Sequence, residues 1–404
     1  MDDAVWSHTV FSKNRDRLLT SEVAQQFFAE VNKQARRFMS DEHFTVDGTL
    51  IQAWASQKSF RKKDGSDGDG TNFHGQQRTN ETQGGVTRPS SEQVDALAGA
   101  TRYPTSFFFE QDRIFGFNAS VFFHRKRTDM PAKVLKRIHA VLNLTRMRLD
   151  KLMLAGNLMP AIELVRLSVD EHDTPEQIAD KVRALLQLPD GPIQNLTASL
   201  EEAGVIVAQH QFNSRRMDAV SEWVPGHPPI VLMNTDDHVP GDRYRWTLAH
   251  ELGHLIMHTH PIDDMEEQAN RFAAEFLLPA RDIRPKLRVV RLQTLALLKS
   301  IWKVSMGALL ERAKQLGTIT ATQYKYMRIN FSKHGYGTQE PPELAISVEI
   351  PTLLQDLVKL HTKDLGYSLS DLSALLKMDG KHPVLTGCTW CCSAVMMFGW
   401  LMLK

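Results

Sequence analysis

Cysteine is scarce in this sequence, which holds three in 404 residues. All three lie near the C-terminal end, at Cys388, Cys391 and Cys392. The body of the chain therefore needs no disulfide bond, which is usual for proteins of the cytoplasm. A Cys-x-x-Cys spacing alone is weak support for a metal site, and we interpret the cluster as a feature of the tail's composition.

A strong net charge and an apolar leader are also missing. The formal net charge is +1, so the chain as a whole has no electrostatic signature of nucleic-acid binding. The first residues are acidic and contain no apolar run, which predicts no secretory signal and a cytoplasmic protein. Residues 383–403 carry no formal charge and could just span a bilayer. Five small or polar residues dilute that stretch, so we expect no membrane anchor: Thr386, Gly387, Thr389, Ser393 and Gly399.

The chemistry that is present centres on a His-Glu-x-x-His motif in a predicted helix over residues 246–258. Residues four apart share one helix face, so His250 and His254 can bind a single divalent metal ion. Glu251, one position further around, can act as a base on a water at that metal. The alternative is a solvated or hydrogen-bonded histidine pair. An apolar stripe lies beside the histidine face and consists of Leu248, Leu252, Leu255 and Ile256.

A catalytic zinc site needs a third protein ligand and an open position. The segment 263–279 predicts a second helix with an acidic first turn and a proline at its end. Glu266 lies on the apolar face of that helix, so we predict Glu266 as the third ligand. Glu267, which is rotated away, and Glu275, two and a half turns later, remain alternatives. A carboxylate favoured by the helix dipole is the competing interpretation of these glutamates.

This set of residues predicts hydrolysis of a peptide bond. Zinc lowers the pKa of its bound water to about 7 and polarises a carbonyl, so Glu251 needs only to transfer one proton. His258 is one turn beyond His254 and has two interpretations. It either assists the oxyanion or supports the site from a second layer, or it is a surface histidine.

The residues around the motif predict an α+β arrangement that is rich in helices. Helices are expected over residues 133–154, 175–188 and 196–203, and further helices follow residue 279. Strands are expected over residues 204–208, 218–223 and 229–234. These strands form a small sheet beside the motif helix.

The run from Arg243 to His254, followed by Glu266-x-x-Ala269-Asn270 and Leu277-Leu278-Pro279, resembles the ImmA/IrrE metallopeptidases. The resemblance covers about residues 90–380. It implies a zincin-like domain in which two histidines and a downstream glutamate bind zinc and the motif glutamate is the base. It also implies a protein substrate of the repressor type, which regulates mobile-element or stress genes. The helix-turn-helix that often precedes this domain is missing, so DNA binding is not predicted.

Residues 1–83 resemble an IS5-type DDE transposase instead, through stretches such as 11–18 and 40–51. Asp47 matches the first of that family's three metal-binding carboxylates. Two-metal phosphoryl transfer needs several carboxylates, and this chain offers one. We therefore interpret the segment as an inactive, partly disordered remnant and do not expect transposition.

Hydrophobic residues make up 42% of the chain and charged residues 24%, which is ordinary for a soluble protein of two or three domains. We divide it into the transposase fragment at 1–83, a linking region at 84–165 and the peptidase domain at 166–300. A helical region at 301–380 and an uncharged tail at 381–404 follow. The predicted function is a zinc-dependent, site-specific peptidase. The alternative is a non-catalytic regulatory or protein-binding module that keeps the fold.

Overall fold

The computed structural model describes residues 89–101, 103–110, 132–158, 164–169, 173–214, 216–236, 239–337 and 339–378. Asp47, the segment 1–83 and the uncharged tail with its cysteines lie outside these residues. The predictions made for them are therefore not addressed by the structure. In the described part of the chain, no helix is both long enough and apolar enough to cross a membrane.

Helices dominate the described residues, and they surround a small sheet. The α-helices are α1 (Ser91–Thr101), α2 (Ala132–Gly156), α3 (Pro175–Leu185), α4 (Leu196–Glu202), α5 (Gly241–Met257), α6 (Met265–Leu277), α7 (Ala280–Ile283), α8 (Leu292–Trp302), α9 (Met306–Gln315), α10 (Ala321–Lys333), α11 (Leu353–Lys359) and α12 (Leu369–Leu376). Short 3₁₀ turns lie at Thr105–Phe109, Arg284–Leu287 and Pro342–Leu344, and a π-helical turn follows α11 at Leu360–Asp364. The predicted helix-rich α+β class with a small sheet is confirmed.

The sheet has three strands, β1 (Ile206–His210), β2 (Ala219–Glu222) and β3 (Ile230–Asn234), in the order β1-β3-β2. β1 runs parallel to the central β3, and β2 runs antiparallel to it. β1 begins two residues later than the sequence predicted. The cause is Gly204, whose φ of +80° forms the left-handed turn that ends α4 before the strand can begin.

Both faces of the sheet are buried under helices. Val207, Ala219 and Val231 belong to a large apolar core that includes residues of α5 and α6. Neighbouring strand residues such as Val220 and Leu232 point the other way, into a second core that includes α2. This alternation follows from the two-residue period of a strand. It also determines that every second residue of β2 faces the motif helix.

The motif helix α5 is longer than predicted, because it begins at Gly241 rather than near Trp246. Pro240 precedes it in an extended conformation, and the Gly241 amide donates to the carbonyl of Ile346 at 3.1 Å. A Cβ on Gly241 would lie 2.4 Å from that oxygen, so only glycine allows this approach. The predicted apolar stripe is buried: Leu248, Leu252, Leu255 and Ile256.

An ion pair fixes α5 to the segment that precedes α11. Arg245 is fully buried and pairs with Glu349. The same carboxylate accepts hydrogen bonds from the backbone amides of Leu196 and Thr197, at the start of α4. Glu201 near the end of α4 accepts in turn from two amides at the start of α11. The two carboxylates satisfy amides that a helix start leaves without partners.

Helix α6 lies close against α5 because Gly253 has no side chain. A Cβ at this position would be 3.0 Å from the ring of Phe272 and 3.4 Å from the Cα of Ala269. Phe272 is fully buried and stacks on Phe276, with their ring centroids 5.5 Å apart. This close packing brings the start of α6 next to the histidine face of α5.

Candidate metal centre

Three side chains from the two packed helices converge at one point. The Nε2 atoms of His250 and His254 lie 3.0 Å apart. Oxygens of Glu266, at the start of α6, lie 3.6 Å from His250 Nε2 and 3.4 Å from His254 Nε2. One ligand atom from each residue lies within 4.8 Å of the other two, so together they could hold a metal ion.

The opposite ring nitrogens of both histidines have other partners. His250 Nδ1 lies 3.2 Å from the side-chain oxygen of Asn270, which can only accept a hydrogen bond. Asn270 is itself held by a 2.8 Å bond from its amide group to the backbone carbonyl of Glu266. His250 therefore carries its proton on Nδ1 and presents the lone pair of Nε2 to the cluster. A second partner that orients a metal-binding histidine in this way is typical of metal sites.

His254 is oriented by a longer chain of hydrogen bonds. Its Nδ1 lies 3.0 Å from Nδ1 of His258, whose Nε2 lies 3.0 Å from the side-chain oxygen of Gln268. Since that oxygen accepts, His258 has its proton on Nε2 and its Nδ1 accepts from His254. His254 is thereby left with an unprotonated Nε2 that faces Glu266.

His258 is buried rather than at the surface, which excludes the surface interpretation. Desolvation lowers the pKa of His258 to about 4, and the hydrogen bond to Gln268 opposes this change only in part. Burial also lowers the pKa of His254. Both rings are therefore neutral near pH 7, which is the form that binds metals.

Glu266 is the glutamate that the structure brings to the histidines. Close contact with the rings of His250 and His254, in that order, lowers the pKa of Glu266 far below its usual range, so it is a carboxylate at neutral pH. Glu267 is exposed, one position further around α6. Glu275 is buried elsewhere, where it pairs with Arg312 and accepts from the Ala280 amide at 2.7 Å. Neither alternative belongs to the cluster.

Glu251 is buried next to the cluster, with 2% of its surface exposed. Its Oε2 accepts a hydrogen bond of 2.6 Å from the hydroxyl of Ser221 on β2. Burial lowers the pKa of His254, and the negative charge of Glu251 on the same helix opposes this change in part. A carboxylate in this position can take up or release a proton beside a metal ion held by the three other residues.

Two cavities lie next to Asn270, and one of them also contacts Glu266 of the cluster. One has a volume of about 1120 Å³ and is lined by Glu266, Asn270 and a group of acidic residues. The other has a volume of about 970 Å³ and is lined by Asn270, Trp246, Phe331 and others. Both volumes are large enough for a ligand or a short peptide segment. Asn270, the partner of His250, contributes to both cavities.

Comparison with known families agrees with this geometry. Residues 200–314 match the model of the peptidase family described as the IrrE N-terminal-like domain. The match runs from the end of α4 into α9 and contains the sheet and all four residues of the cluster and its base. It supports a metallopeptidase-type fold and the ImmA/IrrE part of the resemblance. No curated protein matches the chain, and the comparisons give no support to the transposase resemblance of residues 1–83.

Three residues that contact the site had no predicted role. Asn270 could have been found, because it lies four positions after Glu266 and therefore on the same face of α6. Gln268 gave no comparable signal, since its contact depends on how α6 lies across the end of α5. Ser221 carries a weak signal, because it is a polar residue on the apolar, helix-facing side of a buried strand.

Proposed function

We propose that this protein is a zinc-dependent peptidase that hydrolyses peptide bonds. The observation that carries the proposal is the convergence of two histidine Nε2 atoms and one carboxylate beside a second, buried carboxylate. Two nitrogen ligands and one oxygen ligand, with a position left open, form the ligand set of catalytic zinc. The ring protons on the far nitrogens fit this metal, because both lone pairs point toward the cluster.

The residues of the chain have separate tasks in this reaction. His250, His254 and Glu266 hold the ion, while Asn270 and His258 keep the two rings in the required tautomer. The chemistry that zinc supplies at such sites is polarisation of the scissile carbonyl and activation of water. Glu251 accepts the proton of the attacking water and then delivers it to the amine nitrogen as the C–N bond breaks.

We infer that the substrate is a protein of the repressor type. The support is the match to the IrrE N-terminal-like domain, together with the resemblance to the ImmA/IrrE peptidases. Asn270 lines two cavities, one of which also contacts Glu266, so a segment of chain has room to bind beside the cluster. A flexible segment of the repressor would bind there with its scissile bond at the metal.

Metal content and hydrolysis test this proposal together. We expect about one zinc per chain by elemental analysis, and its loss in His250→Ala and Glu266→Ala. Glu267→Ala is the matched control, because it removes a neighbouring, exposed carboxylate of the same helix turn and should keep the metal. No metal in folded wild type, or equal metal content in Glu266→Ala and Glu267→Ala, would contradict the proposed ligand set.

The variant Glu251→Gln separates an enzyme from a metal-binding module. It should keep zinc, because it retains the three ligands, and lose cleavage of a proteome-derived peptide library analysed by mass spectrometry. A wild-type protein that binds zinc but cleaves nothing, with the same biological output as Glu251→Gln, would favour the non-catalytic regulatory module.

A further inference from the structure

Ser221 places a hydroxyl group where the fold otherwise places apolar side chains. On β2 it shares the helix-facing side with Ala219, and its partner in the sheet register is Val231. All three residues are buried, and Ser221 has no exposed surface. A buried hydroxyl needs a hydrogen-bond partner, and the partner of this one is the Glu251 carboxylate. The hydrogen bond to Glu251 gives this polar residue a role that the packing of the strand does not require.

The hydrogen bond between these two side chains is short. The Oγ–Oε2 distance of 2.6 Å lies in the range of a hydroxyl that donates to an ionised carboxylate. Such bonds are stronger than those between neutral groups. Glu251 also lies on a rigid helix, while Ser221 lies on a strand paired with β3 along its length. Both ends of the contact are therefore held by regular secondary structure, which is how a side chain is kept in one orientation.

We propose that Ser221 is a positioning residue that holds Glu251 in the orientation needed for proton transfer. The proposal rests on the function proposed above. Oε2 remains bonded to Ser221, and Oε1 exchanges the proton. As water attacks the carbonyl carbon, its O–H bond breaks and the proton moves to Oε1. The same proton then passes to the amine nitrogen, which takes the electron pair of the breaking C–N bond.

The test compares Ser221→Ala and Ser221→Thr on one fluorogenic peptide, chosen as the best-cleaved sequence of the peptide library. Loss of the hydroxyl should lower kcat roughly tenfold to hundredfold, which is typical when a reacting group is misplaced. KM should change less than about twofold and zinc content should not change, because neither ligand nor substrate contacts are removed. Ser221→Thr keeps a hydroxyl and should restore kcat to within about threefold of wild type.

Two controls separate positioning from a general loss of packing. Thr145→Val removes another buried hydroxyl, one that bonds only within α2, and should leave kcat unchanged. Binding of a peptide hydroxamate to the zinc-loaded protein gives a readout that does not need turnover. Its affinity should fall in Ser221→Ala and not in Thr145→Val, since a hydroxamate needs a correctly placed carboxylate beside the metal.

The outcomes distinguish this inference from the function on which it rests. Cleavage by Ser221→Ala at the wild-type rate, or an equal fall in Thr145→Val, would overturn the role of Ser221 and leave the peptidase intact. A zinc-loaded wild type that cleaves no library peptide would overturn both. A fall in kcat that Ser221→Thr reverses, with unchanged zinc content, would support the assignment.

Discussion

Gly253→Ala tests whether the close contact between α5 and α6 holds the proposed metal centre together. The new methyl group would lie 3.0 Å from Cδ1 and 3.3 Å from Cγ of Phe272, and 3.4 Å from Cα of Ala269. Phe272 cannot turn away, because it is fully buried and stacked on Phe276. The helices must therefore move apart by a few tenths of an ångström.

The free energy of unfolding reflects two opposing effects of this substitution. Alanine is favoured over glycine within a helix by about 1 kcal/mol. Overpacking a tight core costs about 1–3 kcal/mol. We expect the second effect to exceed the first, with a net loss of about 1 kcal/mol, or a fall in Tm of about 2–4 °C. Zinc affinity should fall as well, because Glu266 moves with α6 relative to the histidines of α5.

Thermal unfolding of the metal-free protein and competition with a chromogenic zinc chelator measure these two effects. Gly307→Ala is the matched control, since a Cβ there meets nothing closer than 3.7 Å in helix α9. It should raise Tm slightly and leave zinc affinity unchanged. If Gly253→Ala were more stable than wild type and bound zinc equally well, the contact between the helices would not be tight and this reasoning would fail.

Two further predictions concern single side chains. Asn270→Ala removes the acceptor that orients His250, so zinc affinity should fall roughly 10- to 100-fold in chelator competition, and a change below twofold would contradict the role of Asn270. Burial and, to a smaller extent, the nearby Arg137 lower the pKa of His210 to about 4. The unfolded chain, with a pKa near 6.5, therefore binds a proton that the folded protein excludes, and stability should fall by about 2 kcal/mol between pH 7.5 and pH 5. His210→Gln should remove this part of the pH dependence in urea unfolding at the two pH values, and an unchanged slope would show that His210 is not its source.

The convergence of His250, His254 and Glu266 follows from signals that are local in the sequence. His250 and His254 share a helix face by spacing alone, and Glu266 lies on the inward face of the next helix. The alternatives at Glu267 and Glu275 were harder to separate. The pairing of Glu275 with Arg312 depends on α9, which lies far along the chain.

The residues that bond to the cluster and its base could be identified only from the tertiary structure. Ser221 reaches Glu251 only because β2 pairs with β3 in one register and packs beside α5. His258 bonds to Gln268 of α6 beyond the last turn of α5, and the spacing of histidines along α5 contains no information about that contact. The sequence pattern begins α5 too late for a similar reason, since the amide of Gly241 bonds to Ile346, about a hundred residues later in the sequence. The division into domains stays a prediction.

The ion pair between Arg245 and Glu349 limits how far the chain can be truncated without loss of stability. Residues 200–314 match a family model, but the carboxylate that neutralises the buried guanidinium of the motif helix comes from beyond that range. A fragment that ends at residue 314 would leave a buried cation without its partner, at a cost of about 3–5 kcal/mol, and would uncover the start of α4. The residues that match the family model are therefore fewer than the residues that we expect to fold as one cooperative unit. We therefore expect a fragment to need the segment from Ile346 to Leu353 in order to hold helix α5 in place.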